Sequence, residues 1–205
     1  MHAVHLANRG VTTKPDPADS EPYVVALVGS PRPNGNTSFL VDVVLAELER
    51  HNMRCEKIML SEYNVLPCEG HDECGKFSEC PLDDDMSMLT EKVYAAQGLI
   101  LATPVYYENV SAQMKAFIDR NCFSYEHNVE LQPQVAGLIA IAASTGTDET
   151  IEALKRFLSL SSSGSIPMYA MTGHAQKAGE AAVNGALGDE ARRLAHKIAD
   201  ALSQS

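Results

Sequence analysis

Tyr23-Val-Val-Ala-Leu-Val-Gly-Ser-Pro-Arg-Pro-Asn-Gly-Asn-Thr-Ser38 is the stretch that decides the fold. Its first six residues form an apolar run without alternation, the pattern of a central parallel strand covered on both faces. From Thr37 onward Leu40, Val43, Val44 and Leu48 recur at helical spacing, with Asp42, Glu47, Glu49 and Arg50 on other faces. Between strand and helix lie small and hydroxylated residues. Such a turn aims backbone N–H groups and the positive end of the helix dipole at one point. Ser30, Thr37 and Ser38 add hydroxyls, Asn34 and Asn36 add amides, and Arg32 adds one fixed cation. The segment reads as a cradle for a phosphate.

Spacing excludes two common phosphate ligands. A nucleoside-triphosphate loop needs G-x-x-x-x-G-K-[ST]; here Gly35 falls one residue late and Asn36 follows it, with no lysine. A dinucleotide fingerprint needs G-x-G-x-x-G, and Ser30-Pro31 breaks that spacing at once. One arginine, without a lysine or an evident magnesium ligand, suits a single terminal phosphate.

Outward from this segment the chain alternates. Cys55 to Leu60 is a second strand, weakened by Glu56 and Lys57 and so expected at an edge. Asp83, Asp84 and Asp85 offer caps and first-turn acids for a helix running to Ala96. Gly98 to Ala102 is a third strand, Ser111 to Asp119 a helix, Val135 to Ala143 a fourth strand. A helix follows Ser144-Thr-Gly-Thr147, Ile166 to Met171 is the fifth strand, and a Gly/Ala-rich connection (Thr172 to Gly188) leads to a last helix. Five strands alternating with five helices predict an α/β fold, a doubly wound parallel sheet with helices on both faces. Residues 1–21 carry Pro15, Pro17, Asp16 and Asp19 with little apolar periodicity and are expected to form a flexible extension, leaving 22–205 as a single domain.

The balance of charge is acidic, net −11 with a pI near 5.0. Nucleic acid and anionic membrane would repel such a surface. No apolar stretch approaches the roughly 20 residues of a membrane span. Five cysteines without an export signal point to a reducing, cytoplasmic setting and to metal or redox chemistry rather than disulfides.

In doubly wound sheets ligands bind beyond the carboxyl ends of the strands. Three loops at that edge carry unusual chemistry. The first is the cradle. The second, Thr103-Pro-Val-Tyr-Tyr-Glu-Asn-Val-Ser111, presents two adjacent tyrosines on a loop, an aromatic platform of the kind a flat conjugated ring needs. The third, Ser144-Thr145-Gly146-Thr147, offers N–H groups at another helix start. One phosphate, a flexible sugar chain and a flat ring together describe flavin mononucleotide, FMN.

The sequence resembles the NAD(P)H-dependent FMN reductase superfamily, with its flavodoxin-like fold, and within it the iron–sulfur flavoprotein branch. The likeness spans roughly Val24 to Leu202. It rests on Gly29 to Ser38, on Ala102-Thr-Pro-Val-Tyr-Tyr-Glu-Asn-Val-Ser-Ala-Gln-Met-Lys-Ala-Phe-Ile-Asp-Arg120, and on Pro67-Cys68 through Asp85-Met86. The resemblance implies a strand order of 2-1-3-4-5. It implies that Ser30, Arg32, Asn36, Thr37 and Ser38 hold the FMN phosphate, that Pro104, Val105, Tyr106, Tyr107 and Asn109 line the isoalloxazine ring, and that Ser144, Thr145 and Gly146 meet its pyrimidine edge. It further implies NAD(P)H as co-substrate, a small-molecule or protein electron acceptor, and a homodimer or homotetramer. Because the cofactor carries the chemistry, no catalytic side chain is assigned. The rival expectation is a flavoprotein electron carrier, with or without a cluster and without nicotinamide activity of its own.

The cysteine loop departs from the branch pattern C-x2-C-x2-C-x5-C. It reads Cys68-x2-His71-x2-Cys74-x5-Cys80, with histidine at the second position. Three thiolates and an imidazole suit an iron–sulfur cluster or tetrahedral zinc, whereas Glu69, Asp72, Glu73 and Glu79 oppose an anionic cluster. On that balance a loop of reduced cysteines without metal is favoured, and Cys55 and Cys122 are expected to be buried small hydrophobes.

Overall fold

The structure, a computed structural model, describes residues 21–162 and 164–204. All but the last position of the expected N-terminal extension lies outside the described residues. Strands β1 (Tyr23–Val28), β2 (Arg54–Met59), β3 (Gly98–Pro104), β4 (Val135–Ala142) and β5 (Met168–His174) form one sheet in the order β2-β1-β3-β4-β5. Every pairing is parallel. The helices are α1 (Asn36–Arg50), α2 (Met86–Ala95), α3 (Ala112–Arg120), α4 (Cys122–Glu126), α5 (Thr147–Ser161), α6 (Glu180–Val183) and α7 (Gly185–Ser203). The flavodoxin-like order expected from the sequence is the observed one.

Alternation along β1 divides the core in two. Val24, Ala26 and Val28 face α1 and α7, packing with Leu40, Val44, Leu48, Ala191, Leu194 and Ile198. Val25 and Leu27 face α2, α3 and α5, packing with Leu89, Phe117, Leu154 and Leu158. Strands β1 and β4 are buried along their whole length, as interior parallel strands require. β2, with Glu56 and Lys57, lies at one edge, as its mixed composition predicts.

β2, β3 and β5 are each shifted by one to three residues from expectation, β5 most. β5 starts two residues later and runs through Thr172 and Gly173, which read as loop in sequence. A Cβ on Gly173 would sit 2.5 Å from Leu187 Cδ2, so the glycine lets that leucine of α7 pack flat on the strand. The connections read as irregular contain two short helices, α4 and α6. Each is too short to show a helical period in sequence.

Candidate functional site

Because all strands run the same way, the loops after β1, β3, β4 and β5 emerge at one edge. At the first, Gly29 N donates to Ala102 O (2.7 Å) and Gly35 N to Arg32 O (3.0 Å), closing the turn. Ser30 is buried, and its Oγ accepts from Arg32 N (3.1 Å). The first bond of α1 is Phe39 N to Gly35 O (3.0 Å), so the N–H groups of Asn36, Thr37 and Ser38 have no intrahelical partner. The cap residue is Gly35, no side chain caps the helix, and its first turn holds no acid. A helix start commonly satisfies these donors with a Ser, Thr, Asp or Asn cap. Here no side chain takes that place, and the donors stay open to an external anion. Arg32 stands exposed beside them and has no ion-pair partner among the described residues.

Not every residue expected at the phosphate turns toward it. Asn36 donates from Nδ2 to Lys177 O (2.8 Å) and accepts at Oδ1 from Ala181 N (3.1 Å), tying the cradle to the loop after β5. Ser38 is fully buried and its hydroxyl donates to Met59 Sδ (3.7 Å). These two residues face the site with backbone N–H groups, while their side chains hold the loop. Thr37 is also buried, at the mouth of the helix.

At the second loop Tyr106 N donates to Asn109 O (3.0 Å) and Asn109 N to Tyr106 O (3.1 Å), a two-residue turn whose corners, Tyr107 and Glu108, have φ of 50° and 57°. Two consecutive left-handed non-glycine residues cost on the order of 1–2 kcal/mol each and persist only where surroundings impose them. Tyr107 is completely exposed and Tyr106 partly so. Asn109 Oδ1 accepts from Val110 N (2.8 Å). In the third loop Gly146 has φ 88°, and a Cβ there would lie 2.6 Å from Glu108 Cα. Thr145 Oγ1 donates to Glu108 Oε1 (3.3 Å). Val105, Tyr107, Glu108, Ala143, Ser144 and Thr145 thus enclose a cleft of about 270 Å³. A second cleft, about 280 Å³ around Tyr94, Asn121 and Glu130, lies at the opposite, amino edge of the sheet.

One residue that sequence reasoning passed over joins the first two loops. Ser111, fully buried, donates from Oγ to Gly29 O (2.6 Å), accepts there from Met114 N (3.2 Å), and gives its own N–H to Thr103 Oγ1 (3.0 Å). Its position before an apolar helical run marks it as a helix cap in sequence; the contact with Gly29 has no sequence signal.

The edge therefore presents an uncapped helix start and, around one cleft, a strained aromatic turn and a polar third loop. A family model described as NADPH-dependent FMN reductase matches residues 22–177. The chain belongs to that family. It is an FMN-dependent oxidoreductase, and the free N–H groups of α1 beside Arg32 fit the phosphate of its cofactor. An iron–sulfur flavoprotein of Archaeoglobus fulgidus is 37% identical over 182 residues, covering 86% of this chain and 79% of the relative. One of Methanocaldococcus jannaschii is 35% identical over 136 residues, covering 65% and 70%. Among solved structures, an NAD(P)H:quinone oxidoreductase from Methanothermobacter marburgensis superposes with a TM-score of 0.69 at 15% identity, over 87% of this chain and 96% of the other. The azoreductase AzrA gives 0.61 at 13%, over 85% and 99%. Likeness at such identities shows the shared flavodoxin-like fold.

This FMN reductase family member also carries the cysteine loop, and a buried ion pair anchors it. Asp84 and Arg120 are 1% and 2% exposed at their side chains and pair directly. Asp84 Oδ2 also accepts from Leu66 N (2.9 Å) and its Oδ1 from Met86 N (3.1 Å). Desolvation pushes its pKa up, but the Arg120 and backbone hydrogen bonds outweigh that and hold it below the ordinary aspartate value. Arg120 further donates to Leu66 O (3.1 Å) and Cys80 Sγ (3.3 Å). Asp85, expected as a cap, accepts instead from Asn64 N (2.7 Å), and α2 has no acid in its first turn. All three aspartates precede the helix, and the side chains of Asp84 and Asp85 hold the loop.

The thiols divide into two kinds. Cys55 is partly buried, donates to Met53 O (3.7 Å), and is pushed up to about 12 by burial and Glu49, as expected of an inert thiol. Cys122 is exposed, contrary to expectation, because it opens α4 on the surface that faces the loop. Cys68 is exposed, and Cys74 and Cys80 are half-buried. His71 lies 3.5 Å from Glu69 and edge-on to Phe77, with ring centroids 5.5 Å apart.

Proposed function

We propose that this oxidoreductase passes electrons from NAD(P)H through bound FMN to a small acceptor such as a free flavin, a quinone, or a nitro or azo compound. The observation that carries the proposal is the uncapped start of α1 at the same sheet edge as the open Tyr106–Asn109 turn. Residues 22–205 act in this reading as one FMN-binding unit. Arg32, the Ser30 turn and the N–H groups of Asn36, Thr37 and Ser38 would hold the phosphate. Pro104, Val105, Tyr106, Tyr107 and Asn109 would line the ring, and Ser144, Thr145 and Gly146 would meet its pyrimidine edge.

FMN, when bound, supplies the hydride and electron chemistry itself. The chain's residues position it. Donors already aimed at one point spend no ordering entropy when the anion arrives. The cleft between Val105 and Thr145 is open to solvent beside the exposed Tyr107, and a nicotinamide and then an acceptor would approach the ring from that side. A quinone oxidoreductase and an azoreductase among the structural neighbours agree with a small conjugated acceptor. No helix of the described residues is long and apolar enough to cross a membrane. A cytoplasmic homodimer or homotetramer completes the proposal.

The net charge of −11 favours a second reading, an electron carrier that docks on basic proteins. Anaerobic titration separates the two. Bleaching of the bound flavin within seconds by NADH or NADPH is expected; no bleaching by either leaves only the carrier. For the site itself, Arg32→Ala combined with Thr37→Ala should lose bound FMN while the far-ultraviolet spectrum and melting temperature stay unchanged. Full flavin occupancy in that variant would overturn the assignment of the cradle.

A further inference from the structure

We propose that Cys122, on α4, is the fourth thiolate of an iron–sulfur cluster held by Cys68, Cys74 and Cys80, taking the place that spacing alone gives to His71. The relatives named iron–sulfur flavoproteins motivate the question; the placement of this chain's own residues answers it.

Helix α4 packs directly on the single 3-10 turn Cys74–Lys76. A Cβ built on Gly75 would lie 3.6 Å from Glu126 O, and His127 Nε2 lies 2.9 Å from Phe77 O. Cys122 opens that same short helix, one residue beyond Asn121 and two beyond Arg120. Arg120 reaches the loop's other end at Cys80 Sγ. The middle of the cysteine loop and its Cys80 end are therefore both fastened to the stretch Arg120–His127, with Cys122 between the fastenings. The His71 ring is engaged by Glu69 and by the ring of Phe77.

The ligand chemistry bears on the kind of metal: soft thiolates suit iron–sulfur clusters and zinc, and set aside magnesium and calcium. A cluster with three cysteines in one loop and the fourth far along the chain is an established arrangement of thiolate ligands. Arg120 answers the objection raised by the acids of the loop. Its guanidinium donates to Cys80 Sγ from a buried position and places a positive charge beside the thiolates.

The test uses the full chain, purified without oxygen and supplied with ferrous iron and sulfide. Iron, acid-labile sulfide and the electron paramagnetic resonance of the reduced protein are measured beside FMN content. Wild type should take up a four-iron complement. Cys122→Ser and Cys122→Ala should lose iron and sulfide to background while keeping FMN and the melting temperature of the cluster-free chain. His71→Ala should keep both. Wild-type iron content in the Cys122 variants, loss of iron in His71→Ala, or a wild type that takes up only zinc or no metal would each overturn the proposal. FMN is counted separately, so these outcomes leave the flavin assignment standing or falling on its own test.

Discussion

The flavin edge and the cysteine loop solve the same problem, holding irregular backbone in place, by different means. At the flavin edge the loops are short and continue strands, and their partners are backbone atoms: Gly29 N on Ala102 O, Val105 N on Ile141 O, Ala175 N on Ala142 O. Between β2 and α2 the chain runs from Leu60 to Asp85 with only two 3-10 turns. That length of irregular chain is held by a buried ion pair and the side chains of Asp84 and Asp85. Backbone-held loops depend less on any one side chain, Ser111 Oγ on Gly29 O being the exception. A loop hung on an ion pair and a second aspartate depends on each of them.

The largest expected effect follows from that contrast. Arg120→Leu leaves Asp84 buried without its partner and should cost about 3–5 kcal/mol in urea unfolding. Adding Asp84→Asn should recover part of that loss, since the stranded charge is then gone. A cost under about 1 kcal/mol for the single variant would show that the pair is not what holds the loop.

Ser111→Ala comes next. It removes the cap of α3 and leaves Gly29 O without a donor, a loss of about 2 kcal/mol. It should also weaken FMN retention, measured by equilibrium dialysis, although Ser111 touches neither cleft nor solvent. Unchanged retention would mean the two loops are held independently.

Acid should release the cysteine loop earlier than the flavin edge. The folded-state pKa of Asp84 is depressed, so its contribution is complete above the ordinary aspartate value of about 3.9 and is lost as pH falls through the lower folded value. Urea midpoints below pH 4 should fall more steeply in wild type than in Asp84→Asn. Equal slopes would remove Asp84 from the acid response. The smallest effect on stability is expected at Tyr107→Gly: relief of a left-handed residue offsets the entropy of glycine, and stability should stay within about 1 kcal/mol. Its FMN retention should nonetheless drop, and no drop would take Tyr107 off the ring.

The same contrast explains what was legible in the sequence. β1, β3 and β4 announce themselves by unbroken apolar runs, and the loops hanging from them inherit their positions from the strands. The order of the sheet and the shared edge therefore followed. Asn36 and Ser38 were legible as polar residues at a helix start, but not the direction of their side chains, since Lys177 O and Met59 Sδ are brought to them by distant elements. Arg120 ends α3 in a position that reads as a solvated helix terminus; only the return of Asp84 over it makes it buried. Cys122 was read by residue type, as a small hydrophobe, because nothing in its neighbourhood along the chain reveals the loop that crosses near it. Contacts made through the fold between residues far apart in sequence left no pattern to find.

Ser111 has a consequence beyond its own stability. The hydroxyl that ends the aromatic loop closes on the carbonyl that begins the cradle. Neither loop is thus a portable part. Moved alone onto another parallel sheet, the cradle would carry a buried oxygen with nothing to bind it, and the aromatic loop a hydroxyl with nowhere to give its proton. Variation in this enzyme is accordingly expected to arrive in correlated pairs across β1 and β3, because the unit that is inherited is the joint between them.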